Sequence, residues 1–340
     1  MSSDEITDDL LPSTEQTPDL VSIRAPQSLD DAVEGLRQWN GVVVHETKVP
    51  ASSVPLVSEL RGERIKRRFQ TSLLKLVRTD TARLLRAVLR FLTGRGLLIQ
   101  LLPNDRALPL IRLGSTYGGW VILDDPDIRN GFVVSGGAGE DISFDIELLA
   151  RYSPRILIVD PTPRAIEHVN TVLARVGRPA EVPFSEGGSQ PVEAYDLGGV
   201  DASQIVLIEA AVAEKAGMIE LFEPEVANHV SYSAVRPKRS QVQSIRVPAV
   251  TITSIIQDES HPFKILKLDI EGIAGQVLTK MLLAGHRPAQ ILVEFDELLR
   301  PTRPDLRAVK EVDRQIRVRG YRRVHTDRWS NFTYVLRGRR

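Results

Sequence analysis

Residues 132–160, reading FVVSGGAGEDISFDIELLARYSPRILIVD, constrain the fold more than any other stretch of this chain. Phe132, Val133 and Val134 form an apolar run suited to a strand buried on both faces of a parallel sheet. Gly136, Gly137 and Gly139 follow and permit a tight turn with close backbone approach to a ligand. A helix comes next, with Ile142, Ile146, Leu149 and Ala150 on one face and Glu140, Asp141 and Asp145 near its start, where the helix dipole favours acids. A second apolar strand then ends at Asp160, about 20 residues past the glycines, where a nucleotide-type ligand places its ribose hydroxyls. The unit predicts an adenosine-containing cofactor over the ends of two neighbouring strands. Glu140 and Asp141 in the first turn disfavour a diphosphate and favour a cationic sulfonium cofactor bearing an ammonium group. The competing reading is an α/β turn that binds nothing.

The bulk properties exclude more than they assign. A length of 340 residues fits one large domain with an N-terminal extension. A formal net charge of zero gives no general pull toward nucleic acid or an anionic membrane. The absence of cysteine removes disulfides, thiolate nucleophiles and cysteine-held zinc. With an acidic, polar N-terminus that does not read as a leader, it predicts a cytoplasmic protein. No apolar run approaches the roughly 20 residues of a membrane span.

Three regions are expected. Residues 1–28 read as a disordered acidic tail. Residues 29–112 read as a mostly helical basic region, beginning with a short helix and the strand GVVVHE. Over 57–101, Leu73, Leu74, Val77, Leu84, Leu85, Val88, Leu89 and Leu92 recur at helical spacing among many arginines. This region reads as a helical cap with a solvated basic face, and it is a candidate surface for self-association. Residues 113–340 alternate strands (131–135, 155–160, 204–212, 263–269, 289–295, 321–326, 332–337) with helices (near 140–152, 163–177, 272–284, 305–319). That alternation predicts a mostly parallel α/β sheet with one antiparallel strand. A hairpin is expected at 205–222 around the turn EKAG.

Two further segments carry carboxylates. FKILKLDIEG (263–272) is a buried strand that contains Lys267, ends at Asp269 and is followed by Glu271. Carboxylates at the carboxyl end of a central strand face the ligand crevice of an open α/β sheet. One can hold a cofactor's amino group while the other binds substrate or acts as general base; helix capping is the structural alternative. ILVEFDEL (291–298) brings Glu294 and Asp296 to the end of the next strand. Four acids there would raise one another's pKa, which suits a base. They are also oxygen ligands of the kind a divalent ion takes, but the six histidines form no spaced ligand pair and no metal site is assigned.

Taken in order, the glycine turn, the strand-end acid, AAVAEKAGMIELF, TITSII, LKLDIEG, ILVEF, RGYR and NFTYVL resemble the FkbM-type family of S-adenosylmethionine-dependent methyltransferases, over about residues 115–336. The resemblance implies a Rossmann-like seven-stranded methyltransferase sheet, S-adenosyl-L-methionine as cofactor, and O-methylation of a hydroxyl on a small molecule or sugar. It implies Asp269 and Glu271 as catalytic residues, and Gly136, Gly137, Gly139, Glu140, Asp160 and Asp269 as cofactor contacts. Tyr117, His229 and Glu294 would bind substrate, with Tyr117 and Trp120 from GSTYGGW near the crevice. The first motif departs from the family pattern: Ser135 stands where the family has an acid, and Asp141 where it has a final glycine. Two rivals remain at this point: a non-catalytic relative acting by protein association, and a nicotinamide oxidoreductase, which would lack a fully spaced GxGxxG.

Overall fold

The computed structural model describes residues 22–23, 80–223, 232–234, 243–257 and 259–338. The expected elements within 29–44, the basic segment before residue 80 and His229 lie outside the described residues, as does the acidic tail apart from residues 22–23.

The strands are β1 (Ser22–Ile23), β2 (Leu110–Leu113), β3 (Trp120–Leu123), β4 (Phe132–Gly136), β5 (Arg155–Val159), β6 (Ile205–Ile208), β7 (Ala211–Val212), β8 (Gly217–Phe222), β9 (Ser244–Val250), β10 (Phe263–Leu268), β11 (Gln290–Glu294), β12 (Tyr321–Thr326) and β13 (Asn331–Leu336). The helices are α1 (Asp80–Leu92), α2 (Leu98–Leu101), α3 (Ser143–Tyr152), α4 (Pro163–Leu173), α5 (Ile252–Ile256), α6 (Ala274–Leu283) and α7 (Arg303–Val318).

The main sheet runs β1-β6-β5-β4-β10-β11-β13-β12. The pairings from β1 to β11 are parallel, whereas β13 is antiparallel to both β11 and β12 and lies between them. Apart from the two-residue β1, this is the expected seven-stranded, mostly parallel sheet. β1 falls inside the segment expected to be a disordered tail and pairs with β6. The chain leaves β4 toward β5 on one side and returns at β10 on the other, so strand order reverses between β4 and β10. A ligand crevice opens at such a reversal, beyond the carboxyl ends of the strands.

Alternation along the strands supplies both cores. Val133, Ile156, Ile158, Leu207, Ile265 and Leu292 pack on one face with α3 and α4. Val134, Leu157, Val159, Leu266, Leu268, Ile291 and Val293 pack on the other with α6 and α7. Successive side chains of a strand point to opposite faces, and continuous apolar runs bury both.

Three expectations are corrected. The helix expected from about residue 140 begins at Ser143, because the turn through Gly139 continues to Asp141, whose Oδ1 accepts the Ser143 N–H at 3.0 Å. The hairpin at 205–222 does not form. β6 belongs to the main sheet, while β7 and β8 enter a separate sheet ordered β7-β9-β8. β9, distant in sequence, separates them, parallel to β7 and antiparallel to β8. The leucine stripe expected to pack α1 against the domain instead faces outward. Leu85, Leu89 and Leu92 are exposed, only Ala87 of this helix is buried, and the arginines make the contact. Arg90 donates to the Leu298 and Leu299 carbonyls, and its guanidinium lies 4.2 Å from the centroid of the Trp329 ring.

Candidate active site

The glycine turn is built by close backbone approach. Gly137 has φ +84°, and a Cβ there would lie 1.9 Å from the Asp269 carbonyl oxygen. The β4 turn and the end of β10 therefore touch through main chain alone, which only glycine allows. Lys267, buried on β10, donates to the Gly137 carbonyl at 2.6 Å and fixes the same contact.

Asp160 closes the turn from the β5 side. Its Oδ2 accepts the N–H groups of Ala138 (2.8 Å) and Gly139 (3.1 Å), and its Oδ1 accepts the N–H and hydroxyl of Thr162 (2.8 and 2.7 Å). The residue is 6% exposed. An acid expected to serve a ligand thus also shapes the loop beneath it. Glu140 forms a two-pronged ion pair with Arg164 at 2.8 and 2.9 Å. Asp141 accepts from Ser115 Oγ (2.6 Å), the Gly118 N–H (3.1 Å) and Gln190 Nε2 (3.0 Å), tying the GSTYGGW loop to the turn. A Cβ on Gly118 would sit 2.7 Å from that carboxylate.

A cavity of about 400 Å³ lies over these strand ends, within the size range of small-molecule sites. It brings together Tyr117, Gly137, Gly139, Glu140, Asp160, Asp269, Glu271 and Glu294. Gly136 is the buried last residue of β4 and is not on the wall. Eight carboxyl side chains line the cavity against one amine, Lys267. That donor set suits a cation and opposes a diphosphate.

Crowding perturbs the acids at the β11 end. Burial, then the neighbouring Asp269 and Asp296, hold the Glu294 carboxyl well above its usual range; Ser330 Oγ donates to it at 2.7 Å. Burial and Glu271 push Asp296 to about 8, although it accepts the Gly272 N–H at 2.9 Å. Burial, then Asp269 and Glu294, raises the Tyr117 phenol. Among the described residues no group of three or more histidine or acidic side chains is arranged to hold a metal ion.

The structure adds residues that the sequence did not single out. Trp329, Ser330 and Asn331, between and at the start of the last two strands, complete the wall. Asp145, read from the sequence only as a helix-start acid, is fully buried and faces the Ser135 hydroxyl across the β4–α3 layer. Burial raises the Asp145 carboxyl, and Lys267 is the strongest influence in the opposite direction. An acid thus balances Lys267 from α3, although the strand position Ser135 lacks one. Its sequence signal was its position three residues after Ile142 and four before Leu149, on the apolar stripe. His325 is only partly exposed near the end of β12 and lines a second cavity.

An open α/β sheet with its ligand crevice at a strand-order reversal, a glycine turn and acids on the crevice wall defines the class of this fold. The chain belongs to the FkbM methyltransferase family: the family model described as Methyltransferase FkbM domain matches residues 144–323, just over half of its length. The matched stretch is shorter than the 115–336 span of the resemblance. It starts inside α3, so the altered glycine turn precedes it. No curated protein and no solved structure matches the chain.

Proposed function

We propose that this protein is an S-adenosylmethionine-dependent O-methyltransferase with a Rossmann-like sheet, acting on a hydroxyl of a small molecule or sugar. The observation that carries the reading is the carboxyl-rich crevice at the β4/β10 reversal in a member of a methyltransferase family. With Glu140 paired to Arg164 and Glu294 and Asp296 shifted toward the neutral acid, the wall is still rich in carboxyl groups with Lys267 as its one amine, which fits a ligand with a sulfonium and an ammonium. The same wall disfavours the diphosphate of a nicotinamide dinucleotide. S-adenosylmethionine supplies an electrophilic methyl group on a positively charged sulfur.

In this reading Gly137 and Gly139 let the ligand approach the backbone, and Asp160 and Glu140 flank it. Asp269 holds its charged end. Asp269 or Glu271 takes the proton from the acceptor hydroxyl, while Tyr117 and Glu294 contact the acceptor. Alignment of acceptor and methyl group contributes up to roughly 7–11 kcal/mol of barrier lowering. A positioned base contributes about 10²–10⁴ in rate.

Titration calorimetry tests the cofactor. S-adenosylhomocysteine is expected to bind with one-to-one stoichiometry and NAD to give no heat; the reverse result would end this reading. Once an acceptor is found, Asp269→Asn and Glu271→Gln are each expected to lower turnover by about 10²-fold or more while the melting temperature holds. Normal turnover by both would make these carboxylates structural.

A further inference from the structure

A second cavity, of about 250 Å³, adjoins the crevice and shares Tyr117, Trp120, Asp327 and Asn331 with it. Its charge is of opposite character. Arg83 of α1, Arg112 of β2 and His325 of β12 face it, with Asp327 as its one carboxyl group. Asp327 is engaged elsewhere: its Oδ1 accepts the N–H groups of Trp329 (2.8 Å) and Asn331 (3.1 Å). Among the described residues neither Arg83 nor Arg112 has an ion-pair partner. Arg112 uses Nη2 on the Ser115 and Thr116 carbonyls at 2.8 and 3.2 Å; its Nε and Nη1 make no hydrogen bond among the described residues.

We infer that this cavity receives an oxyanion, a carboxylate or phosphate, carried by the methyl acceptor, whose hydroxyl then lies across the Tyr117–Asn331 wall in the acidic crevice. The inference rests on the methyl-transfer reading of that crevice. Burial disfavours the Arg112 guanidinium, and Asp327, Asp141 and Glu147 offset this only through space, without an ion pair among the described residues; Arg83 lies partly buried beside it, so an anion here would complete donors that no carboxylate contacts directly. The forked donors of the two guanidinium groups match carboxylate and phosphate oxygens. Burial and the Arg83 charge pull the Arg112 pKa down, and burial with three nearby arginines pulls His325 to about 4. At neutral pH His325 is therefore an uncharged hydrogen-bonding group in this cavity. A cation-seeking crevice beside an anion-seeking cavity separates donor from acceptor by charge, so neither ligand is drawn into the other's place.

The experiment titrates the full chain by calorimetry with inorganic phosphate and, separately, with acetate. Chloride at matched ionic strength is the control, and S-adenosylhomocysteine is titrated in parallel. Saturable binding of one oxyanion is expected, weakened about tenfold or more in Arg83→Gln and in Arg112→Gln, with S-adenosylhomocysteine affinity retained. The oxyanion that binds identifies the group. Because Arg112 also holds its own loop, Arg83→Gln carries the test if Arg112→Gln unfolds. No saturable binding of either oxyanion while S-adenosylhomocysteine binds would overturn the inference and leave the methyltransferase reading standing. Oxyanion affinity unchanged in the folded variants would overturn it too. Oxyanion binding lost in Arg83→Gln, with no S-adenosylhomocysteine binding to wild type, would overturn its assignment to a methyl acceptor.

Discussion

Gly137 and Asp160 show at the scale of single residues how the site is held. Gly137→Ala places a Cβ against the Asp269 carbonyl and strains a positive φ, so it is expected to cost on the order of 3 kcal/mol in urea unfolding and to abolish cofactor binding. Gly139 also has a positive φ, but a Cβ there would meet nothing within 4 Å, so Gly139→Ala is expected to be the milder change. Asp160→Ala removes the acceptor of four hydrogen bonds and is expected to lower stability by about 1–3 kcal/mol together with cofactor affinity. Loss of affinity alone would mean the loop keeps its shape without this acid. The acid pair at the β11 end gives a pH signature. Glu294 and Asp296 have folded pKa values above the ordinary carboxyl range, so the folded state binds more protons than the unfolded one. Their stabilisation is complete below about pH 4 and is lost as pH rises through about 8 for Asp296. Asp296→Asn keeps an acceptor for the Gly272 N–H. It is expected to flatten the decline in stability between pH 5 and 8, whose slope per group is at most about 1.4 kcal/mol per pH unit.

Among the elements, α1 is the informative one. Its leucines at helical spacing predicted an inward apolar face, yet the helix sits on the domain through Arg86, Arg90 and Ala87. The aromatic ring of Trp329 and the carbonyls of Leu298 and Leu299 offer cation–π and hydrogen-bond partners to a guanidinium. No periodicity in α1 reveals those partners, because they lie more than 200 residues away. Arg90→Ala is expected to cost about 1–3 kcal/mol of local stability. It should appear as faster hydrogen exchange over 80–92 and altered Trp329 fluorescence, while β4 and β10 amides stay protected. Unchanged exchange in α1 would show that other contacts hold it. The small sheet teaches the same lesson, since β7 and β8 read as a hairpin until β9 is seen between them.

At the scale of the whole molecule, a net charge of zero conceals two cavities of opposite character side by side. The crevice depends on β4, β5, β10 and β11 being ordered together, so a ligand bound there should stabilise the sheet as a unit. S-adenosylhomocysteine at 100 times its Kd is expected to add about 2.7 kcal/mol, seen as a rise of several degrees in Tm. A Tm that stays fixed at saturation would contradict binding to the folded sheet. The apolar strand runs, the glycine turn and the acids at strand ends were legible in the sequence because each depends on local period or local conformation. That was enough to predict a mostly parallel sheet with one antiparallel strand, and to bring seven of the proposed site residues from Gly137 to Glu294, with Tyr117, to one wall. The tertiary structure alone decided that Asp160 supports the turn, that Asp145 balances Lys267 from a helix, that α1 turns its leucines outward, and that Arg83, Arg112 and His325 meet. Those outcomes depend on desolvation and on partners distant in sequence, and only the packing of separate elements brings such groups within reach of one another.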